Sequence, residues 1–131
     1  MAENQQGLIE EIRTELAAGA CDVEKQATLN AMILCLEGCT AYSKNLSARA
    51  AADAAAESNP RRKKELLHLS EICSHVIEHP ARTLDEAVNA VWIMWVCLHQ
   101  ENTNAGFSLG RLDQWFQPCF EADMAKLAPP E

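Results

Sequence analysis

The sequence predicts a mainly α fold, a bundle of about five helices, and three observations carry that prediction. Apolar residues recur at three- and four-residue spacing through almost every segment. The interruptions are helix punctuation: Gly19, then Ser58-Asn59-Pro60, then the capping-box sequence Thr83-Leu84-Asp85-Glu86. At 131 residues, with 48% hydrophobic and 23% charged residues, the chain suits a single helical domain over 1–131 with one core.

The first helix is marked by Leu8, Ile9, Ile12 and Leu16 and closed by Gly19. Asp22 is the expected N-cap of a long second helix running toward Ser58, with Met32, Ile33, Leu36 and Leu46 among its apolar positions. Its later half, Ala48 to Ala56, is alanine-rich, which favours helix and lets a neighbouring helix come close. Pro60 suits the first position of a third helix, because its missing N–H would have no helical partner there. Leu66, Leu69, Cys73, Val76 and Ile77 form that helix's apolar face, and Pro80 lies beyond its end. The fourth helix, about Leu84 to Gln100, is apolar around most of its circumference (Val88, Val91, Trp92, Ile93, Met94, Trp95, Val96, Leu98). A helix of that kind is normally surrounded by protein, and Ala90 to Leu98 reads as a buried segment. Three companion helices offer little cover for two tryptophans, so an oligomer interface or the remainder of a larger fold is expected against it. The last helix, about Asp113 to Leu127, carries Trp115, Phe116, Phe120 and Met124, is interrupted by Pro118, and ends at Ala128-Pro129-Pro130.

Charge excludes one class of partner. A net charge of −8 disfavours nucleic acid, and the single basic run, Arg61-Arg62-Lys63-Lys64, reads as a solvated first turn. The opening Met1-Ala2-Glu3-Asn4 shows no signal peptide, and the longest apolar run is too short to span a bilayer. A cytoplasmic, reducing location is the expectation, with the six cysteines (Cys21, Cys35, Cys39, Cys73, Cys97, Cys119) as reduced, mostly core thiols.

Candidate chemistry is sparse. Cys35/Cys39 and His75/His79 each sit one helical turn apart and together form a weak alternative zinc set, against which stand their apolar setting and unfamiliar spacing. His68 and His99 have no Ser or Cys nucleophile placed beside them by sequence, and no phosphate-binding loop is present. The densest cluster is Ser108-Leu109-Gly110-Arg111-Leu112-Asp113-Gln114, preceded by Glu101-Asn102-Thr103-Asn104 and Ala105-Gly106-Phe107. Arg111 can pair two-pronged with a carboxylate and Asp113 can cap the last helix, so Ser108, Arg111, Asp113 and Gln114 read as a structural clamp.

That segment, with its surroundings, resembles the glycyl radical enzymes. Asn59-Pro60-Arg61-Arg62-Lys63-Lys64-Glu65-Leu66-Leu67 is similar to the family's third-helix start, and Ile72-Cys73 followed by His79-Pro80-Ala81-Arg82-Thr83-Leu84-Asp85-Glu86-Ala87 to its next joint. Glu101-Asn102, then Ser108 to Gln114, Pro118 and Asp123, complete the pattern, in order, over about Leu29 to Lys126. The resemblance is closer to the dehydratase, carbon–nitrogen lyase and decarboxylase branch than to pyruvate formate-lyase. It implies an internal, helical portion of a ten-stranded α/β barrel enzyme that cleaves a C–O, C–N or C–C bond of a small polar metabolite, in anaerobic metabolism. It also implies a protein glycyl radical installed by a radical SAM activating enzyme, and a substrate cavity near Gly106 and Leu112.

The departures are as informative. Cys35-Leu36-Glu37 has the composition of the family's thiyl Cys-x-Glu but lies mid-helix and upstream of the Gly-Arg-x-Asp-Gln segment, where the family's element lies downstream on a loop. No Cys-x-Glu follows Gln114, no Arg-Val-x-Gly-Tyr-type loop is present, and Cys119 stands where the family often has Tyr. The expectation is therefore a fragment or stand-alone relative, inactive by itself, with no catalytic residue and no cofactor in this chain. The alternative is a noncatalytic module for homo-oligomerisation or assembly through the fourth helix.

Overall fold

The computed structural model describes residues 5–19, 22–101, 106 and 108–127, apart from the side chain of Glu101. Five helices follow in order: α1 (Gln5–Ala17), α2 (Val23–Ala56), α3 (Pro60–His75), α4 (Leu84–Glu101) and α5 (Leu112–Leu127). No strand occurs among the described residues. Residues 1–80 and 81–131 form two compact units, where the sequence alone suggested one domain.

Local chemistry sets the helix ends of the first unit. Gly19 has φ +70 and its N–H reaches the Leu16 carbonyl at 3.3 Å, closing α1 with a conformation that costs an L side chain strain. The Asp22 carboxylate accepts from the Lys25 amide at 2.8 Å, and the Asn59 side chain accepts from both Arg61 and Arg62 ahead of Pro60-led α3. Each bond satisfies a helix-terminal amide that has no intrahelical acceptor.

The helices of this unit are held in two ways. Ile9 and Ile12 of α1 meet Leu29 and Ile33 of α2 in a small apolar core, flanked by Leu16 and Leu36. Between α2 and α3 the seam is made of small residues. Ser43, Ser47, Ala50 and Ala54 recur at four- and three-residue spacing, and Leu66, Ser70 and Cys73 repeat that spacing on α3. Ala54 is 0% exposed. Small side chains bring the backbones close enough for hydroxyls to reach across. Ser43 Oγ donates to the Cys73 carbonyl at 2.6 Å, while Ser47 Oγ donates to the Ser70 carbonyl at 2.8 Å and Ser70 Oγ to that of Ser47 at 2.9 Å. These bonds account for polar groups in an otherwise apolar seam.

The second unit is sparser. Ala87, Ile93 and the carboxylate-bearing Glu86 are its buried residues among those described, and α5 contains none. Val88, Trp92 and Leu98 of α4 are exposed, so the expected burial of Ala90 to Leu98 holds only at Ile93 within this chain. The expected core thiols also need correction: Cys73 alone is buried, Cys39, Cys97 and Cys119 are half-buried, and Cys35 is exposed. Cys21 lies outside the described residues. Leu46 and Leu69 are likewise exposed, because the small-residue seam, not those larger side chains, faces the neighbouring helix, and Met32 is exposed on the α1/α2 groove.

Candidate functional site

The connection into α5 is shaped by Gly110, whose φ of +64 is a left-handed conformation that glycine adopts without strain. The Gly110 amide donates to Ser108 Oγ at 3.4 Å, and the amides of Gln114 and Trp115 return to the Arg111 carbonyl at 3.0 and 3.3 Å. The Arg111 guanidinium grips Asp113 two-pronged, Nε to Oδ1 at 2.9 Å and Nη2 to Oδ2 at 2.6 Å. That hydrogen bond holds the Asp113 carboxyl below its ordinary range and raises Arg111. Both side chains are nearly two-thirds exposed, so water screens the pair within this chain. Arg111 was expected to pair with a carboxylate or helix-end carbonyls and Asp113 to cap the last helix; instead the two hold each other, and Asp113 lies within α5, not ahead of it.

Gly106 and Ser108 are exposed and Leu112 is half-buried. Residues 102–105 and Phe107 lie outside the described residues. A groove of about 390 Å³ and a cleft of about 200 Å³ both belong to residues 1–80 and include neither Gly106 nor Leu112. The groove is apolar, between α1 and α2, with Cys35 on its wall.

A second cluster forms where the chain enters α4. Thr83 Oγ1 accepts from the Glu86 amide at 3.2 Å, as the capping-box sequence predicts. The reciprocal bond differs from expectation, because the Glu86 carboxylate reaches the Arg82 amide at 2.6 Å and also holds the Arg82 guanidinium, with Nε at 3.1 Å. Glu86 is almost wholly buried at its side chain, 7% exposed, while Arg82 keeps its guanidinium largely in water. Asp123, from the far half of α5, accepts from the Leu84 amide at 2.8 Å and pairs with Lys126 at 2.9 Å. The Leu84 bond first, then Lys126, hold the Asp123 carboxyl below its ordinary range. A carboxylate at the amide end of α4 also suits the helix dipole. Cys119 points its thiol at the Ala81 carbonyl at 4.0 Å, a weak contact at the same joint. Sequence reasoning named Thr83, Glu86 and Asp123 separately but missed that α5 caps α4. Their shared membership of one family pattern was the available signal.

The zinc alternative is not built. Among the described residues no three His, Cys, Asp or Glu side chains converge on a point that could hold a metal. Cys35 faces the α1/α2 groove, while His75, the last residue of α3, and His79 pack ring to ring at 5.0 Å, with His75 Nε2 at 3.1 Å from the Pro80 carbonyl. His99 stacks on Trp95 at 4.6 Å and its Nδ1 lies 2.8 Å from the Trp95 carbonyl, a local packing role. In Cys35-Leu36-Glu37 the Glu37 carboxylate pairs with Arg13 of α1 at 2.9 Å, and Cys35 and Glu37 both lie inside α2. Burial pushes the Cys73 thiol up, away from the reactive thiolate.

A family model described as pyruvate formate lyase-like matches residues 5–128. Isethionate sulfite-lyase of Nitratidesulfovibrio vulgaris is 41% identical over 108 residues, covering 81% of this chain and 13% of that protein. Trans-4-hydroxy-L-proline dehydratase of Clostridioides difficile is 31% identical over 101 residues, 76% of this chain and 13% of its own. Among solved structures, a glycyl radical enzyme from Archaeoglobus fulgidus matches 98% of this chain with a TM-score of 0.86 and 31% identity, over 17% of its own length. The B12-independent glycerol dehydratase from Clostridium butyricum matches 90% of the chain with a TM-score of 0.83 and 27% identity, over 16% of its length. The chain thus spans between about one eighth and one sixth of the relatives it matches.

Proposed function

This chain belongs to the pyruvate formate lyase-like family, and on that premise we propose that it is a scaffold portion of a glycyl radical lyase, inactive by itself. The observation that carries the reading is a family match over 5–128, beside an alignment with the sulfite-lyase that takes up only 13% of that protein. The parent reaction would be radical cleavage of a C–O, C–N or C–C bond in a small polar metabolite. The likeness to isethionate sulfite-lyase adds release of sulfite to that class.

The residues present do not suit the radical machinery itself. A thiyl residue must stand free beside its acid/base on a loop, whereas Cys35 and Glu37 sit within α2 and Glu37 is held by Arg13. No step is assigned to them. The roles open to this chain are positional: Gly110, Arg111 and Asp113 set the entry into α5, while Asp123, Thr83 and Glu86 fix the start of α4. Leu112 and Gly106 would border the substrate cavity, and Ser108 and Gln114 would complete the clamp once the connection is covered by protein. The proposal places the parent enzyme in the cytoplasm, activated by a radical SAM partner. No described helix is long and apolar enough to cross a membrane. A second reading, a noncatalytic homo-oligomerisation module, draws on the exposed apolar residues of α4 and α5.

Segment exchange tests the scaffold reading. Residues 5–127 are placed in the Nitratidesulfovibrio vulgaris sulfite-lyase in exchange for its own matching segment, and sulfite release is assayed after anaerobic activation. The reading expects a soluble enzyme with measurable release; a folded but wholly inactive exchange protein sinks it. The 131-residue chain alone, treated with the activating enzyme, should give no glycyl radical signal by electron paramagnetic resonance.

A further inference from the structure

Val76 and Ile77 are buried where the chain leaves α3, and the helical course continues one turn past His75. The His79 amide donates to the His75 carbonyl at 3.0 Å, the bond of an α turn. His75 and His79 therefore stand one turn apart on one face, His75 half-buried and His79 exposed. Their ring centroids lie 5.0 Å apart. That separation has the dimensions of a chelate. An imidazole nitrogen binds a zinc-like ion at about 2.0–2.1 Å, which sets the ring centroid about 3.2 Å from the metal. Two rings meeting at a metal at about 90–110° thus have centroids about 4.5–5.2 Å apart, an interval that contains the observed separation.

The tautomer of His75 is fixed as well. The Pro80 carbonyl can only accept, so Nε2 donates across the 3.1 Å contact and the lone pair of the neutral ring sits on Nδ1. A backbone carbonyl on the other ring nitrogen is the usual orienting partner of a ligating histidine. The Glu78 carboxylate, between the two in sequence, is engaged by Lys44 of α2 at 2.8 Å. The donor set is then two imidazoles completed by water. Such a set suits copper, nickel or zinc, and not the hard ions magnesium and calcium.

We propose that His75 and His79 form a two-imidazole site for a divalent transition-metal ion of the zinc, nickel or copper class. The ion ties the last residue of α3 to the turn that follows it. The site differs from the four-residue zinc set, because Cys35 faces the α1/α2 groove and neither it nor Cys39 takes part. It lies within residues 1–80 and is independent of the scaffold reading above.

The test follows the ring-nitrogen resonances of the full chain, labelled at histidine and kept reduced by a phosphine, as zinc chloride is added. Those of His75 and His79 should move together with one midpoint, while those of His68 and His99 stay in place. At His75 the Nδ1 resonance should respond most, with Nε2 keeping its proton. His75→Ala and His79→Ala should each weaken the zinc response of the remaining histidine tenfold or more. Cys35→Ser combined with Cys39→Ser should leave the response unchanged, and magnesium chloride should produce none. Circular dichroism checks the fold of each variant. Where His75→Ala does not fold, His79→Ala and His79→Gln, at an exposed position, decide the matter. Movement of one histidine without the other overturns the proposal. So does a His75 response that survives His79→Ala, a response lost with the two cysteines, or the absence of any saturable response.

Discussion

In residues 1–80 the helices approach through serine and alanine, and hydroxyls bridge directly to carbonyls of the neighbouring helix. In residues 81–127 the described links are made at helix ends by carboxylates, Glu86 on Arg82 and Asp123 on the Leu84 amide, while large apolar side chains remain in water. A close seam buries area by excluding solvent along a helix. A capped joint fixes a geometry but buries little, so it leaves the hydrophobic contribution to whatever packs on later. The first region is joined along its helices and the second at helix ends, and both leave large apolar side chains in water, Leu34 and Leu67 in the first as well as Trp92 and Trp115 in the second.

The sharpest way to break this contrast is to crowd the seam. Ala54→Leu adds three carbons where no space is exposed, and overpacking should cost about 3 kcal/mol. Denaturant unfolding followed by far-ultraviolet circular dichroism would show it, and a cost near zero would mean that α2 and α3 are less closely packed than described. Glu86→Ala should cost about 2 kcal/mol, because it strips a buried acceptor from the Arg82 amide and guanidinium. Its effect should appear in tryptophan emission, which reports α4 and α5, before it appears in total helicity. Gly110→Ala should cost about 1 kcal/mol for a left-handed backbone, with Gly110→Asn milder, measured by the same emission.

The smallest effect concerns pH. Asp123 has a carboxyl pKa lowered in the folded chain, so the unfolded chain binds its proton first as pH falls. Its stabilisation is complete above the ordinary carboxylate range and is lost as pH drops through the lowered folded value. Asp123→Asn, which retains an acceptor for Leu84, should flatten the acid side of the stability profile for residues 81–127. An unchanged profile would remove the charge from the account of the joint.

Much of this was legible because it is local. Asp22, Asn59 and Thr83 meet amides two or three residues ahead, and Gly19 and Gly110 adopt the backbone that only glycine takes cheaply. The Arg111–Asp113 grip spans only two residues, yet the sequence offered Asp113 as a helix cap and did not choose Arg111's partner. Ser43, Ser47 and Ser70 were not legible, since a serine in a helical pattern reads as solvated until its acceptor, 23 to 30 residues away, is known. Cys35 and Cys73 share an apolar helical setting in the sequence, yet one is exposed and the other buried.

By itself, then, the sequence determined the helices, their ends and the family pattern, because each of those depends on contacts within about one turn or on residue order. The tertiary structure decided which apolar residues are covered, which hydroxyls cross the α2/α3 seam, and that Asp123 of α5 caps α4. Those outcomes depend on where distant backbone groups come to lie, and side-chain periodicity carries no record of that.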